Sequence, residues 1–281
     1  MEKKVSTSKA VSAIFLGTLI LVISQSIGKI YYLLPLPKVI SSILFGITYV
    51  LLSYFFLQIL CKKVFNYSLE ECNIGKPKIN FLWLAVAIIL PVTVSVILIF
   101  TPGHFINNER STNEIISRII ISFFTIGFGS GIVEEMIFRG FIMHILKQRY
   151  GKVVSIIVPS IIFGLLHLTG GMKLSDILVL FISGTSVGIM FSLIVYESKT
   201  IWSSAIVHVI WNIVINGGIL NIGVKNDANS IYSYVLTSKS ILVTGGHFGI
   251  ESSIIAIMGY FAVIAFTIFR GYRNKNTVIS I

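Results

Sequence analysis

Gly131-Ile132-Val133-Glu134-Glu135-Met136-Ile137-Phe138-Arg139-Gly140 sets two carboxylates and a guanidinium inside an apolar run long enough to cross a bilayer. An ionised side chain at bilayer depth costs roughly 2.5–3.5 kcal/mol on insertion scales, so three unpaired ones would cost on the order of 8–10 kcal/mol. An i,i+4 pair between Glu135 and Arg139 offsets part of that. Glu134 is left without a local partner. The chain has only eleven Asp and Glu residues, and two of them stand here. That placement points to chemistry done with them.

The surroundings are hydrocarbon. A hydrophobic fraction of 55%, 12% charged residues and a mean hydropathy of +0.91 lie outside the range of ordinary soluble domains. Eight stretches are long enough to span a bilayer: 10–28, 39–60, 81–100, 115–146, 153–169, 177–196, 200–222 and 252–269. The fourth carries Arg118 and the Glu-Glu-Arg cluster and is too long to be embedded throughout, so its last turns towards Lys147 should reach water. The expectation is an all-α polytopic membrane protein of eight transmembrane helices, with residues 1–281 forming a single integral-membrane domain.

Basic residues orient the chain. With the N-terminus inside, the inner segments carry Lys3, Lys4, Lys9, Lys62, Lys63, Lys76, Lys78, Lys147, Arg149, Lys152, Lys199, Arg270, Arg273 and Lys275. The outer segments carry Lys29, Lys38, Arg110, Lys173, Lys225 and Lys239, and Arg118 and Arg139 are counted as intramembrane. Fourteen against six is a positive-inside bias that places both termini in the cytoplasm. The net charge of +11 is accounted for by cytoplasmic lysines facing anionic lipid, and calls for no nucleic acid.

Lys3 and Lys4 followed by an apolar run resemble a signal peptide, with Ser24-Gln25-Ser26 as a cleavage-like site; a first span retained as an anchor fits the topology without cleavage. Cys61 and Cys72 fall on the cytoplasmic side, where a disulfide is not expected. Asn66-Tyr67-Ser68 matches a glycosylation acceptor on that same side and carries no meaning there. No internal repeat stands out, and the polar loop 225–251 is expected outside.

Other polar residues share the depth of the acids. His167 ends the fifth stretch, in Phe163-Gly164-Leu165-Leu166-His167, and the seventh contains His208-Val209-Ile210-Trp211-Asn212. The i,i+4 spacing puts His208 and Asn212 on one helix face. Glu134 is thirteen residues from Lys147, His167 fifteen from Lys152 and His208 nine from Lys199. At ~1.5 Å per residue all three lie about 13–23 Å above the cytoplasmic ends, so three spans can converge in one layer. Each residue has a purely structural explanation: an intramembrane histidine or asparagine as an interhelical hydrogen bond, a Glu–Arg pair as a helix tether. Two acids, one base and two imidazoles at one depth are harder to explain that way.

Glu134-Glu135-x-x-x-Arg139, Phe163-x-x-x-His167 and His208-x-x-x-Asn212, in this order, resemble the three-part signature of the CPBP family. These are the CAAX-processing and Abi-type bacteriocin-processing intramembrane proteases, related to the Ras-converting endopeptidase. The signature covers residues 127–215. The resemblance implies an intramembrane endopeptidase whose catalytic residues are Glu134, Glu135, Arg139, His167, His208 and Asn212. Peptide hydrolysis needs an activated water, oxyanion stabilisation and a proton donor for the leaving amine. Glu134 suits the general base, His167 could position the water, and His208 and Asn212 could donate to the oxyanion. Arg139 would hold Glu135 ionised. No Ser-His-Asp arrangement and no intramembrane cysteine points to a covalent nucleophile.

The same residues suit a metal. Two histidines and a glutamate are a standard catalytic zinc set, so Glu134, His167 and His208 are candidate ligands of a Zn ion, although no His-Glu-x-x-His pairing is present. Metal-assisted and metal-free schemes both stay open. His104, His144 and His247 lie in or near loops and are expected to be incidental. A different class of function is a non-enzymatic membrane protein: a proton-coupled carrier with Glu134 as its proton site, or an immunity or regulatory scaffold. A carrier has no need of His208 and Asn212 facing a diacid, and the chain shows no carrier-like repeat. The expected substrate is a membrane-associated peptide or a lipidated or membrane-protein tail. Richness in isoleucine, lysine and asparagine suggests a low-GC bacterium and its plasma membrane, where a peptide pheromone or bacteriocin leader is the expected class.

Overall fold

The computed structural model describes residues 5–279, and the protein is 74% helical. Seven long helical elements are α1 (Thr7–Lys29), α2 (Lys38–Leu60), α3 (Phe81–Ile99), α4 (Thr112–Leu165), α5 (Leu174–Ser198), α6 (Ile201–Asn216) and α7 (Ile254–Ile279). Polar residues beside the apolar runs start them. Ser6 accepts from Lys9 N, Asn80 from Leu82 N and Thr200 from Trp202 N, and Ser111 with Glu114 forms a capping box before α4.

Six of these helices are long and apolar enough to cross a membrane; α6 is shorter. Two physical features separate this figure from the eight expected stretches. The fourth and fifth adjoin without an intervening loop as α4, 54 residues long, which breaks at Gly151, where φ is +79° and ψ −173°, into two arms that correspond to the two expected stretches. That backbone conformation suits glycine alone. The seventh ends six residues early because Gly217 and Gly218 turn the chain into a strand. As expected, Lys147 and its neighbours at the Gly151 break are exposed.

A small sheet was not anticipated within the all-α reading. Strands β1 (Gly103–Asn107), β2 (Leu220–Gly223) and β3 (Tyr232–Leu236) form the order β1-β3-β2, antiparallel and then parallel. The loop expected to be plainly polar is partly organised by it. Arg110 and Arg118 donate to the carbonyls of Ala228 and Asn229 in that loop. Arg118 therefore belongs with the loops at this end, and its assignment as intramembrane is corrected.

The bundle has two distinct ends. At one, the 66–80 loop meets the start of α6 through Ile201 N to Asn73 O and Trp202 Nε1 to Gly75 O, and Lys147 and Lys152 lie over the Tyr196 ring. At the other sit the sheet, the 30–37 turn and the 244–252 loop, which is pinned where Asp176 accepts from His247 N. Between the ends, α4 runs through the centre. One apolar core joins α1, α2 and the first arm of α4; a second joins α3, α5, α6, α7 and the sheet. Residues Glu135–Ile142 are all buried between them and adopt wider π-helical turns, as does Ser122–Gly131. Such turns are rare and recur at functional sites. The second arm of α4 meets α5 at Gly164 and Gly184, so closely that a Cβ on Gly184 would stand 2.7 Å from Gly164 Cα.

Candidate active site

Burial forces Glu135 to find partners. Its Oε1 accepts from Arg139 Nη1 at 3.0 Å, and neither side chain has any solvent exposure. The same oxygen lies 3.1 Å from His208 Nδ1. A carboxylate oxygen only accepts, so this contact assigns the proton of a neutral His208 to Nδ1 and leaves Nε2 with a lone pair. Nε2 stands 3.8 Å from Glu134 Oε2, which is buried and has no hydrogen-bond partner in the structure. That separation is too long for a direct hydrogen bond.

Aromatic rings hold the charges in place. The Arg139 guanidinium lies 4.3 Å from the centroid of Phe163 and 5.2 Å from that of Phe191, and the His208 ring stacks on Phe191 at 4.7 Å. Cation–π contact of this kind is strongest away from water. Phe163 also touches His167, ring to ring at 4.8 Å, and its backbone oxygen accepts from His167 Nδ1 at 2.7 Å. The second imidazole thus carries the same tautomer as the first, with Nε2 unprotonated. His167 lies in the turn just after α4 rather than inside a helix, with Phe248 edge-on at 5.8 Å.

Asn212 faces the same space. Its Nδ2 donates to Ile126 O at 3.2 Å, engaging one amide hydrogen and leaving the other. Glu134, His167, His208 and Asn212 line one cavity of about 700 Å³, while Glu135 and Arg139 lie behind its wall. Phe191, Phe248 and Glu251 also line the cavity and were not singled out. Glu251 accepts from Trp211 Nε1 at 3.0 Å, and its place directly before the last span was the one available signal. His104 sits on β1, His144 packs on Tyr67 and His247 in the outer loop; none lines the cavity. Cys61 and Cys72 are buried at the far end, where the hydrogen bond that the Cys72 thiol donates to Cys61 and then burial push that thiol up. Neither thiol lines the cavity.

The zinc set is tested by donor placement. Glu134 Oε2 and His208 Nε2 face one another, yet among the described residues no three His, Cys, Asp or Glu side chains are grouped closely enough to hold an ion. Glu134, His167 and His208 do not assemble as a ligand triad.

Fold and cavity define a multi-pass helical membrane protein with a buried carboxylate–imidazole centre. Residues 116–214 match the family described as type II CAAX prenyl endopeptidase Rce1-like, which agrees with the motifs read in the sequence. No curated protein matches the chain.

Proposed function

We propose that the protein is an intramembrane endopeptidase in which Glu134 activates water for attack on a peptide carbonyl. The observation that supports this best is the buried Glu134 Oε2, without a partner and 3.8 Å from the lone pair of His208 Nε2. Two acceptors at that spacing bind one water between them. The water directs a hydrogen at each and keeps a lone pair for the carbonyl carbon. Glu134 takes the proton as the C–O bond forms and returns it to the amine as the C–N bond breaks. The free amide hydrogen of Asn212 stabilises the oxyanion. His167, also with Nε2 unprotonated, orients the substrate or the water from the other side of Phe163. Glu135 and Arg139 touch no substrate. They fix the tautomer and plane of His208, as carboxylates do for imidazoles in other hydrolytic sites.

The substrate proposed is a membrane-associated peptide, a pheromone or bacteriocin leader or a protein tail, cut in a bacterial plasma membrane. A cavity walled by Phe45, Leu180, Val187 and Phe191 accommodates an apolar peptide. Comparison of the peptides released by cells carrying wild type and Glu134→Ala tests the reading. Wild-type-only fragments with a common cleavage position are expected, and identical peptide sets would count against it.

A further inference from the structure

We propose that the cavity opens to the extracytoplasmic face and takes its substrate from there, as a translocated peptide or an outer segment of a membrane protein. This rests on the peptidase reading above, and extends it to the side of the membrane on which the substrate is met.

The outer lining of the cavity comes from the sheet end, while Phe191 and His208 line it deeper in the bundle. Gln25, Lys29 and Leu33 come from the close of α1 and the turn after it, Asn216 from the last residue of α6, and Phe248 and Glu251 from the loop before α7. No lining residue comes from 61–80, 146–152 or 198–200, the segments that make the opposite end. His167 agrees, since it follows the last turn of its helix on the sheet side. Towards the opposite end the way is closed. Phe138, Phe141, Ile142 and Ile145 are fully buried below Glu134.

The opposite end is the basic one. Among the described residues twelve Lys and Arg fall in its segments, against six at the sheet end, or seven with Arg118 restored to it. The positive-inside bias therefore survives the correction and puts the closed end in the cytoplasm. A cavity that opens at the other end meets peptides only after they have crossed the membrane. A cytosolic lipidated tail does not reach it.

Single cysteines and a membrane-impermeant maleimide test the side directly, with wild type as the blank for the two buried native thiols. Leu33→Cys and Asn216→Cys lie at the proposed mouth, Lys152→Cys and Lys199→Cys at the closed end; all four positions are exposed or at an edge of the bundle, so no core packing is disturbed. The first pair should label in intact cells and the second only in inside-out vesicles. The reverse pattern overturns the proposal. A quenched fluorescent peptide library, added outside intact cells or to inside-out vesicles, separates sidedness from activity. Cleavage outside intact cells, lost in Glu134→Gln, supports both. Cleavage confined to inside-out vesicles overturns the proposal and leaves the peptidase reading standing. Outward labelling with no cleavage in either orientation supports the outward mouth and counts against the peptidase reading.

Discussion

Glu135 accepts from His208 Nδ1 at 3.1 Å while holding Arg139 at 3.0 Å through the same oxygen. One carboxylate oxygen thus ties α4 to α6 and sets which nitrogen of His208 faces the cavity. If that orientation matters for hydrolysis, His208→Ala should lower kcat by roughly 10²–10⁴, the worth of a positioned proton-transfer group. His208→Gln, which keeps a side chain against Phe191 but presents no imidazole, should be equally impaired. Steady-state kinetics on a cleaved peptide, with circular dichroism to confirm folding, makes the comparison; near-wild-type kcat in either variant would remove His208 from the reaction.

The Glu135–Arg139 pair should behave as a unit. Arg139→Ala strands a buried carboxylate and should destabilise by about 3–5 kcal/mol. Glu135→Gln with Arg139→Gln should recover much of the stability but little of the activity, since the amide no longer dictates the His208 tautomer. Detergent melting of the two singles and the double measures the coupling. Strict additivity would mean that the pair is not an interacting one.

The contact of Gly164 with Gly184 sets the height of Phe163 and His167. Gly184→Val should overpack the α4–α5 contact and cost about 1–3 kcal/mol, with a matching fall in melting temperature and loss of peptidase activity. Gly170→Ala is the control, since a Cβ there meets nothing within 4 Å. Equal melting temperatures for the two variants would show that the close approach is not needed.

Because the candidate zinc ligands are not grouped as a triad, purified active protein is expected to carry well under one metal per chain and to withstand a chelator. Elemental analysis alongside activity checks this. A stoichiometric ion, with activity lost to chelator and restored by zinc, would require His167 to move towards Glu134 and His208.

Much of this was legible in the chain, for identifiable reasons. Hydropathy is additive along a segment, so the spans appear as apolar runs whatever they pack against. The Glu135–Arg139 bond follows from helical spacing, and the shared depth of Glu134, His167 and His208 from counting residues to the nearest lysines. Tertiary geometry was not legible. Phe191 sits seventeen residues from His208, and no local pattern marks it as the ring beneath that imidazole. An apolar run does not announce where its helix stops, which is why His167 fell past the end of α4. The sheet was hidden because its strands are four or five residues long and β1 pairs with β3 across more than a hundred residues of sequence. Arg118 looked intramembrane because the loop that receives it lies far away in the chain.

The central claim is that Glu134 takes the proton from the attacking water. Its most direct test is the turnover of a cleaved peptide by purified Glu134→Gln, a substitution that keeps the side chain's shape and removes its basicity. Turnover below about a hundredth of wild type, in protein with an unchanged melting temperature, is the outcome expected for a lost general base. A folded Glu134→Gln that cleaves faster than that would contradict the account.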